Sequence, residues 1–117
     1  MIEKILLEYL QEKLNIPVFL EKPYNPPKKM IIVEKTGSSK TNLIETATMA
    51  IQSYDESLVK TIALNEDVKA AMDEIEGLDS IGGCYLASDY NYTDTSTKQH
   101  RYQAVYNITY YGGNENG

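Results

Sequence analysis

Side-chain types alternate most regularly in RYQAVYNITYY, residues 101–111. Every second residue of 102–110 is apolar or aromatic, and the residues between them are mostly polar. Because successive side chains of a strand point to opposite faces, this period of two predicts a strand with one face on a core. Residues 81–92 form a second such run, and polar residues 93–99 connect the two. The sequence therefore predicts a long carboxy-terminal β-hairpin.

A helix is predicted immediately before this hairpin. Asp55 or Ser57 can cap its amino terminus, and Gly77 stands just past its end. The apolar residues between them recur at three- to four-residue multiples, which places them on one helix face. These residues are Leu58, Ile62, Val68, Met72 and Ile75.

The amino-terminal half begins with another amphipathic helix. Residues 2–14 carry apolar side chains at helical spacing, and Pro17 lies just beyond them. The apolar run at 16–20 is interpreted as a first strand. Residues 22–29 contain three prolines, which remove backbone donors, so this segment is predicted to be a loop or an edge.

A second hairpin is predicted in the middle of the chain. Residues 30–35 are short and β-branched, and residues 43–54 favour a strand, although several of them tolerate a helix. The Gly/Ser-rich residues 36–42 between them are interpreted as the hairpin loop. We expect this loop and the proline-rich segment 22–29 to be mobile in the isolated subunit and to become ordered on a partner.

These elements give the order α-β-β-β-α-β-β, which lacks the alternation of a parallel doubly wound sheet. The predicted fold is α+β, with a single antiparallel or mixed sheet and both helices packed on one face. Residues 1–111 form one domain in this interpretation, and residues 112–117 form a disordered tail. The side chains expected to be largely buried are Leu6, Leu10, Val33, Leu58, Ile62, Met72 and Ile75.

Length and composition exclude several classes of protein. The 117 residues suit one domain, and 42% hydrophobic with 24% charged residues is typical of a globular chain. A net charge of −6 argues against binding to a phosphate backbone, which needs clustered cations. The chain has no apolar run of membrane-spanning length, so no membrane partner and a cytosolic origin are expected.

No catalytic, cofactor or metal site is predicted. Cys84 and His100 are the only residues of their kinds, which excludes an intrachain disulfide and a cysteine-based zinc cage. The sequence GSSKT at 37–41 resembles the end of a phosphate-binding loop, but Ser39 and Glu34 stand where that loop needs glycine. Asp89 begins a stretch like a calcium loop, which lacks the required glycine and glutamate.

Tyrosine is the distinctive residue of the chain. Ten are present and seven of them lie between residues 85 and 111. Tyrosine offers a large contact area and a hydroxyl at low entropic cost, so it is enriched in interfaces. Packing within the sheet explains the pattern equally well. A base-stacking platform is less favoured, because few cations lie nearby.

The whole pattern resembles the small tail-terminator, or tail-completion, proteins of long-tailed bacteriophages and prophages. The resemblance rests on the amino-terminal helix, on VFLEKP at 18–23 leading into a proline-rich loop, and on IIVEKTG at 31–37 entering a Gly/Ser hairpin. It continues through the helix at 58–78 and the strand RYQAVY at 101–106. It spans nearly all of residues 1–111.

The resemblance implies a ring, typically a hexamer, that caps the tail tube and joins it to the head–tail connector proteins. Its partners would be other copies of itself, the tail tube protein and the connector, first in the host bacterial cytoplasm and then in the virion. Alternatives are a head–tail stopper, a minor capsid protein, or a small-molecule binding protein outside phage biology. The expected interface residues are Tyr24, Gly37, Ser38, Ser39, Lys40, Thr41, Arg101 and Tyr102.

Overall fold

Two helices and five strands follow the predicted order in the computed structural model, which describes residues 1–111. The predicted tail, residues 112–117, lies outside the described residues. The helices are α1 (Ile2–Leu14) and α2 (Leu58–Met72), and a 3-10 turn (Ile75–Gly77) follows α2. The strands are β1 (Val18–Phe19), β2 (Met30–Thr41), β3 (Ile44–Tyr54), β4 (Ile81–Asn91) and β5 (Arg101–Tyr110). The α+β class is confirmed.

The five strands form one mixed sheet in the order β1-β2-β3-β5-β4. Only β1 and β2 are parallel, and the other neighbours are antiparallel. Strand β1 pairs with just two residues of β2, Ile31 and Ile32, and is shorter than the predicted strand at 16–20. The long carboxy-terminal hairpin of β4 and β5 is confirmed.

Both helices pack on the same face of the sheet, here called the helix face. Helix α1 lies over β1 and β2, and α2 lies over β3 and β5. Burying each large apolar side chain stabilises the fold by about 1.5–3 kcal/mol, so this layer holds the domain together. Its fully buried side chains include Leu6, Leu10, Val33, Met49, Ile51, Leu64, Val68, Met72, Ile75 and Ile108.

Capping residues are found at two helix termini, but the predicted stop signal Gly77 lies at the end of the 3-10 turn and not at the end of α2, which Asp73 follows. Asn15 follows α1 in a left-handed conformation with φ 56°, and its N–H donates to the carbonyl of Gln11. At the start of α2, the hydroxyl of Ser57 accepts from the N–H of Lys60 at 3.2 Å. Of the two cap residues that the sequence allows, Ser57 is therefore the one used.

The predicted buried face of α2 is partly wrong. Leu58 and Ile62 are each 37% exposed, whereas the polar Thr61 and Asn65 are buried. Thr61 Oγ1 donates to the carbonyl of Ser57 at 2.7 Å, and Asn65 Nδ2 donates to Asp89 at 2.7 Å, whereas Asn65 Oδ1 is buried without a partner. Because these bonds offset the cost of burying polar groups, the helix can turn this mixed face to the sheet.

The predicted loop at 36–42 is also wrong. Strand β2 continues to Thr41, and only Asn42 and Leu43 form the turn to β3. Asn42 has φ 59°, a conformation that asparagine tolerates better than most residues. The backbone hydrogen bonds to β3 are made by groups that every residue here carries. A Gly/Ser-rich segment can therefore extend a strand when its neighbour has high β-propensity. The predicted loop at 22–29 contains no helix or strand.

Candidate functional site: the exposed sheet surfaces

A row of polar and aromatic side chains crosses the sheet face opposite the helices, here called the open face. Arg101 Nη1 donates to Tyr54 Oη at 3.0 Å, and Tyr54 Oη donates to Gln52 Oε1 at 3.2 Å. Gln52 Nε2 donates to Gln103 Oε1 at 2.8 Å, and Gln103 Nε2 donates to Tyr90 Oη. This row connects β3, β5 and β4 through side chains as well as through the backbone.

The strand register creates the row. Gln52 lies directly opposite Gln103, and Gln103 lies opposite Tyr90, so their side chains meet on one face. Both glutamines are less than one tenth exposed. Since an unpaired buried amide costs about 1–3 kcal/mol, the bonds between them make this part of the open face a fixed surface.

Arg101, a predicted interface residue, lies at one end of this row. Its guanidinium carbon is 4.4 Å from the ring centroid of Tyr92 and 5.6 Å from that of Tyr54, and its Nε donates to the Tyr92 carbonyl at 2.9 Å. These contacts fix the cation and leave Tyr92 45% exposed. Tyr102 points to the helix face, opposite the buried Ser53. Arg101 therefore lies on the open face and Tyr102 on the helix face.

The remaining predicted interface residues are separated from Arg101. Gly37, Ser38, Ser39, Lys40 and Thr41 lie together on the outer segment of β2, which we define as residues 34–41. Counted along β3 at about 3.3 Å per residue, their distance from the level of Arg101 rises from about 20 Å at Gly37 to about 33 Å at Thr41. Tyr24 is 97% exposed in the loop between β1 and β2. The structure thus divides the expected interface between the two ends of the sheet.

Every residue in the outer segment of β2 is exposed, as are Tyr85 to Asn91 of β4. The backbone of the outer segment pairs with β3, but its side chains bury little on either face. A bulge at Thr36 shifts the register between Lys35 and Gly37. A strand segment that pairs with only one neighbour and covers no core receives little stabilisation from the rest of its own chain. This segment is therefore available for contact with another molecule.

A cavity of about 560 Å³ opens between α2, the 3-10 turn and β4. We call it the acidic cavity, because three carboxylates line it: Glu66, Asp73 and Glu76. The only cation in its lining, Lys69, bonds to Glu66 at 2.7 Å and to Asp89 at 2.6 Å. These bonds raise the pKa of Lys69, so the lysine stays charged. The lining keeps a surplus of negative charge.

Two neutral groups complete the wall of the acidic cavity. Burial, reinforced by Glu76 and Asp73, raises the pKa of the Cys84 thiol to about 12. Burial also raises the pKa of Tyr106. The Cys84 N–H donates to Glu76 at 3.1 Å, which holds that carboxylate beside β4. Within residues 1–111, no group of three or more histidine, cysteine or acidic side chains is placed to hold a metal ion.

Neither a protein-family model nor a curated protein matches this sequence. In the described part of the chain, no helix has the length and apolar character needed to cross a membrane. The fold and surfaces define an α+β protein whose single sheet carries both helices on one face. Conclusions about its function therefore rest on its own exposed surfaces.

Sequence reasoning missed the row on the open face and the acidic cavity. Glutamines inside otherwise apolar strands, at 52 and 103, were the available signal for the row. Their pairing depends on the β3–β5 register, which joins residues 51 positions apart. The cavity wall joins Glu66 of α2, Asp73 just after it and Glu76 of the 3-10 turn, and only the position of β4 brings these acids around one cavity.

Proposed function

We propose that this protein is a structural protein of a phage virion, a tail terminator that forms a ring capping the tail tube and joining it to the head connector. The carrying observation is the outer segment of β2, residues 34–41, which extends the sheet while every one of its side chains stays exposed. A two-stranded extension is marginally stable alone, so partners would stabilise it. Copies of the same chain are the first such partners in this proposal.

The element order supports the proposal, because it is the order on which the resemblance to tail terminators rests. The acidity of the chain supports it as well. A ring with a net charge of −6 per subunit repels the DNA that passes from head to tail, and DNA would not adhere to its wall. In this proposal the protein assembles in the bacterial cytoplasm and remains in the neck of the virion.

We propose no catalytic role. The only thiol has a pKa of about 12 and is therefore neutral near pH 7, whereas a nucleophilic cysteine needs a lowered pKa. A small-molecule binding function is a second candidate, because the acidic cavity falls in the range of about 300–1,000 Å³ typical of ligand pockets. Its three carboxylates would select a cationic ligand.

Substitutions in the hairpin tip test the proposed function. Leu43→Asp changes a turn residue that is 78% exposed, and Lys40→Glu reverses a charge in the outer segment. We expect the double variant to keep its melting temperature within a few degrees, since exposed substitutions change stability by about 0.5 kcal/mol or less. In the phage or prophage that carries the gene, electron microscopy should show overlong tails or tails without heads.

Glu12→Lys is the matched control, because Glu12 is exposed on α1 and far from the hairpin. It should give tails of normal length. Normal, infectious particles from a strain with the whole gene deleted would contradict any role in the virion. Tails of normal length that fail to join heads in that strain would favour the head–tail stopper instead.

A further inference from the structure

The acidic cavity contains a polar group that the chain leaves without a hydrogen bond. Tyr106 lines the cavity and is only 3% exposed, because its ring packs in the helix-face core. Burial, reinforced by Cys84 and Asp73 of the same lining, raises the pKa of its hydroxyl, which therefore faces the cavity and stays protonated. Within residues 1–111, no side chain or backbone group hydrogen-bonds to this hydroxyl. Since buried polar groups usually have a partner, this hydroxyl indicates a ligand site.

Two carboxylates of the acidic cavity have no cation paired with them. Lys69 is already engaged, at 2.7 Å from Glu66 and 2.6 Å from Asp89. In the described part of the chain, Asp73 and Glu76 form no ion pair. Both lie in the turn that follows α2, three residues apart. Because like charges repel, a cation placed between these two carboxylates is attracted by both.

The walls of the acidic cavity also include apolar side chains. Met72 and Ala70 come from the α2 side and Leu86 from β4, and Leu86 is 47% exposed although it is apolar. An apolar wall beside unpaired carboxylates suits a ligand with an alkyl stem and a cationic head, as in the side chains of arginine and lysine. The volume of about 560 Å³ is sufficient for either side chain.

A guanidinium suits this site better than an ammonium group. It carries five N–H donors in a rigid planar fork, whereas an ammonium carries three donors around one point. The fork can donate to several acceptors at once, and Asp73, Glu76 and the hydroxyl oxygen of Tyr106 supply three. Hydrogen bonds from a guanidinium to carboxylates are about twice as strong as those between neutral groups. These acceptors therefore favour arginine over lysine.

We propose that the acidic cavity binds an arginine side chain of a partner protein. The guanidinium lies on Asp73, Glu76 and Tyr106 Oη, and the alkyl stem packs on Met72 and Leu86. This inference goes beyond the proposed ring, because it requires no self-association. It also assigns the cavity a protein ligand in place of the small cation considered above.

The partner is a different protein and not a second copy of this chain. Arg101 is the only arginine in the sequence. It is held on the open face, where its guanidinium carbon is 4.4 Å from the Tyr92 ring centroid and its Nε donates to the Tyr92 carbonyl at 2.9 Å. Free arginine is disfavoured as the ligand, because its α-carboxylate would be repelled by the acids of the cavity. An arginine inside a polypeptide has no such carboxylate.

Titration with N-acetyl-arginine amide, followed by NMR of the backbone amides, tests the site. This blocked compound reproduces an arginine within a polypeptide. We expect saturable shifts of the amides around the cavity, including those of Cys84 and Glu76. The matched probe is N-acetyl-citrulline amide, which replaces the guanidinium by a neutral urea of the same shape. It should bind at least about fivefold more weakly, because its hydrogen bonds carry no charge. Free arginine should also bind more weakly than the blocked compound.

Substitutions in the lining assign the individual contacts. Asp73→Asn with Glu76→Gln should weaken binding of the blocked arginine at least about tenfold, since both charges are lost. Tyr106→Phe should weaken it about twofold or more, while the melting temperature stays within a few degrees because the hydroxyl has no partner within residues 1–111. Asp67→Asn is the matched control, because Asp67 is an exposed acid of α2 outside the lining. It should leave binding unchanged.

Several results would overturn this inference. The first is the absence of saturable shifts around the cavity with the blocked arginine, and the second is equal binding of the citrulline compound. Equal or tighter binding of free arginine, or of N-acetyl-lysine amide, would overturn the assignment of a protein arginine and favour a site for small cations. None of these results bears on the proposed ring, which the tail length of the hairpin-tip variant tests separately.

Discussion

At the scale of single residues, Gln52 and Gln103 show how a polar pair can order an open sheet face. Each amide is buried and each uses the other as a partner. Tyr54 and Tyr90 continue the row on either side. Arg101 is the only charged member of the row, so the row stabilises the fold mainly through neutral hydrogen bonds. Removing one side chain leaves its buried partner without a hydrogen bond.

Replacing Gln103 by alanine should therefore lower the free energy of unfolding by about 1–3 kcal/mol, because Gln52 Nε2 loses its acceptor and Tyr90 Oη loses its donor. Urea denaturation measures the change. Asn107→Ala on the same face of β5 is the matched control, since Asn107 is exposed, and it should change stability by about 0.5 kcal/mol or less. Equal effects of the two changes would contradict the importance of the row.

Cys84 gives a pH-dependent prediction. The folded state raises its pKa from 9.0 to about 12, so the folded protein holds this proton more tightly than the unfolded chain. The contribution is fully present below about pH 9 and is lost as the pH rises toward 12. The melting temperature should therefore fall less between pH 8 and 11 in Cys84→Ala than in the wild type. Parallel curves for the two proteins would contradict a buried, protonated thiol.

At the scale of elements, the sequence pattern correctly predicted the helices and strands whose apolar face is visible in their own residues. The alternation of 102–110 and the helical spacing of 2–14 each place one apolar face on the core, and β5 and α1 appear as expected. The buried face of α2 depends on distant partners, because the Asn65 amide donates to Asp89 of β4. The outer segment of β2 depends on β3, which continues the strand through residues that by themselves favour a turn.

The same dependence limits what the sequence reveals of the candidate site. Gly37 to Thr41 were recognised as one group, since they are neighbours in the chain. Their distance from Arg101 follows from the sheet register, and no local pattern specifies it. The acidic cavity likewise combines residues of α2 with residues of β4 that become neighbours only when the hairpin packs.

The β2–β3 turn gives a prediction at this scale. Asn42 adopts φ 59°, and a left-handed conformation costs a residue with an ordinary side chain about 1–2 kcal/mol. Asn42→Ala should therefore destabilise the hairpin, whereas Asn42→Gly should be neutral or slightly stabilising. Hydrogen exchange of the amides in residues 36–46 reports the change locally. Slower exchange in the alanine variant than in the glycine variant would contradict the turn geometry.

At the scale of the whole molecule, the chain is a sheet whose helix face is covered and whose open face buries a small cluster of Met30, Ile32 and Tyr54. The principal extents of 43 × 24 × 24 Å make it elongated. The exposed surfaces left for contact with other molecules include the outer segment of β2 and the exposed part of the open face.

The native mass of the purified protein tests the central claim, that this chain works by assembling with copies of itself. Sedimentation velocity over a range of concentrations is the direct measurement. We expect one discrete species at a fixed multiple of the 13.2 kDa chain mass. A wild-type protein that remains at 13.2 kDa at every concentration would contradict the account.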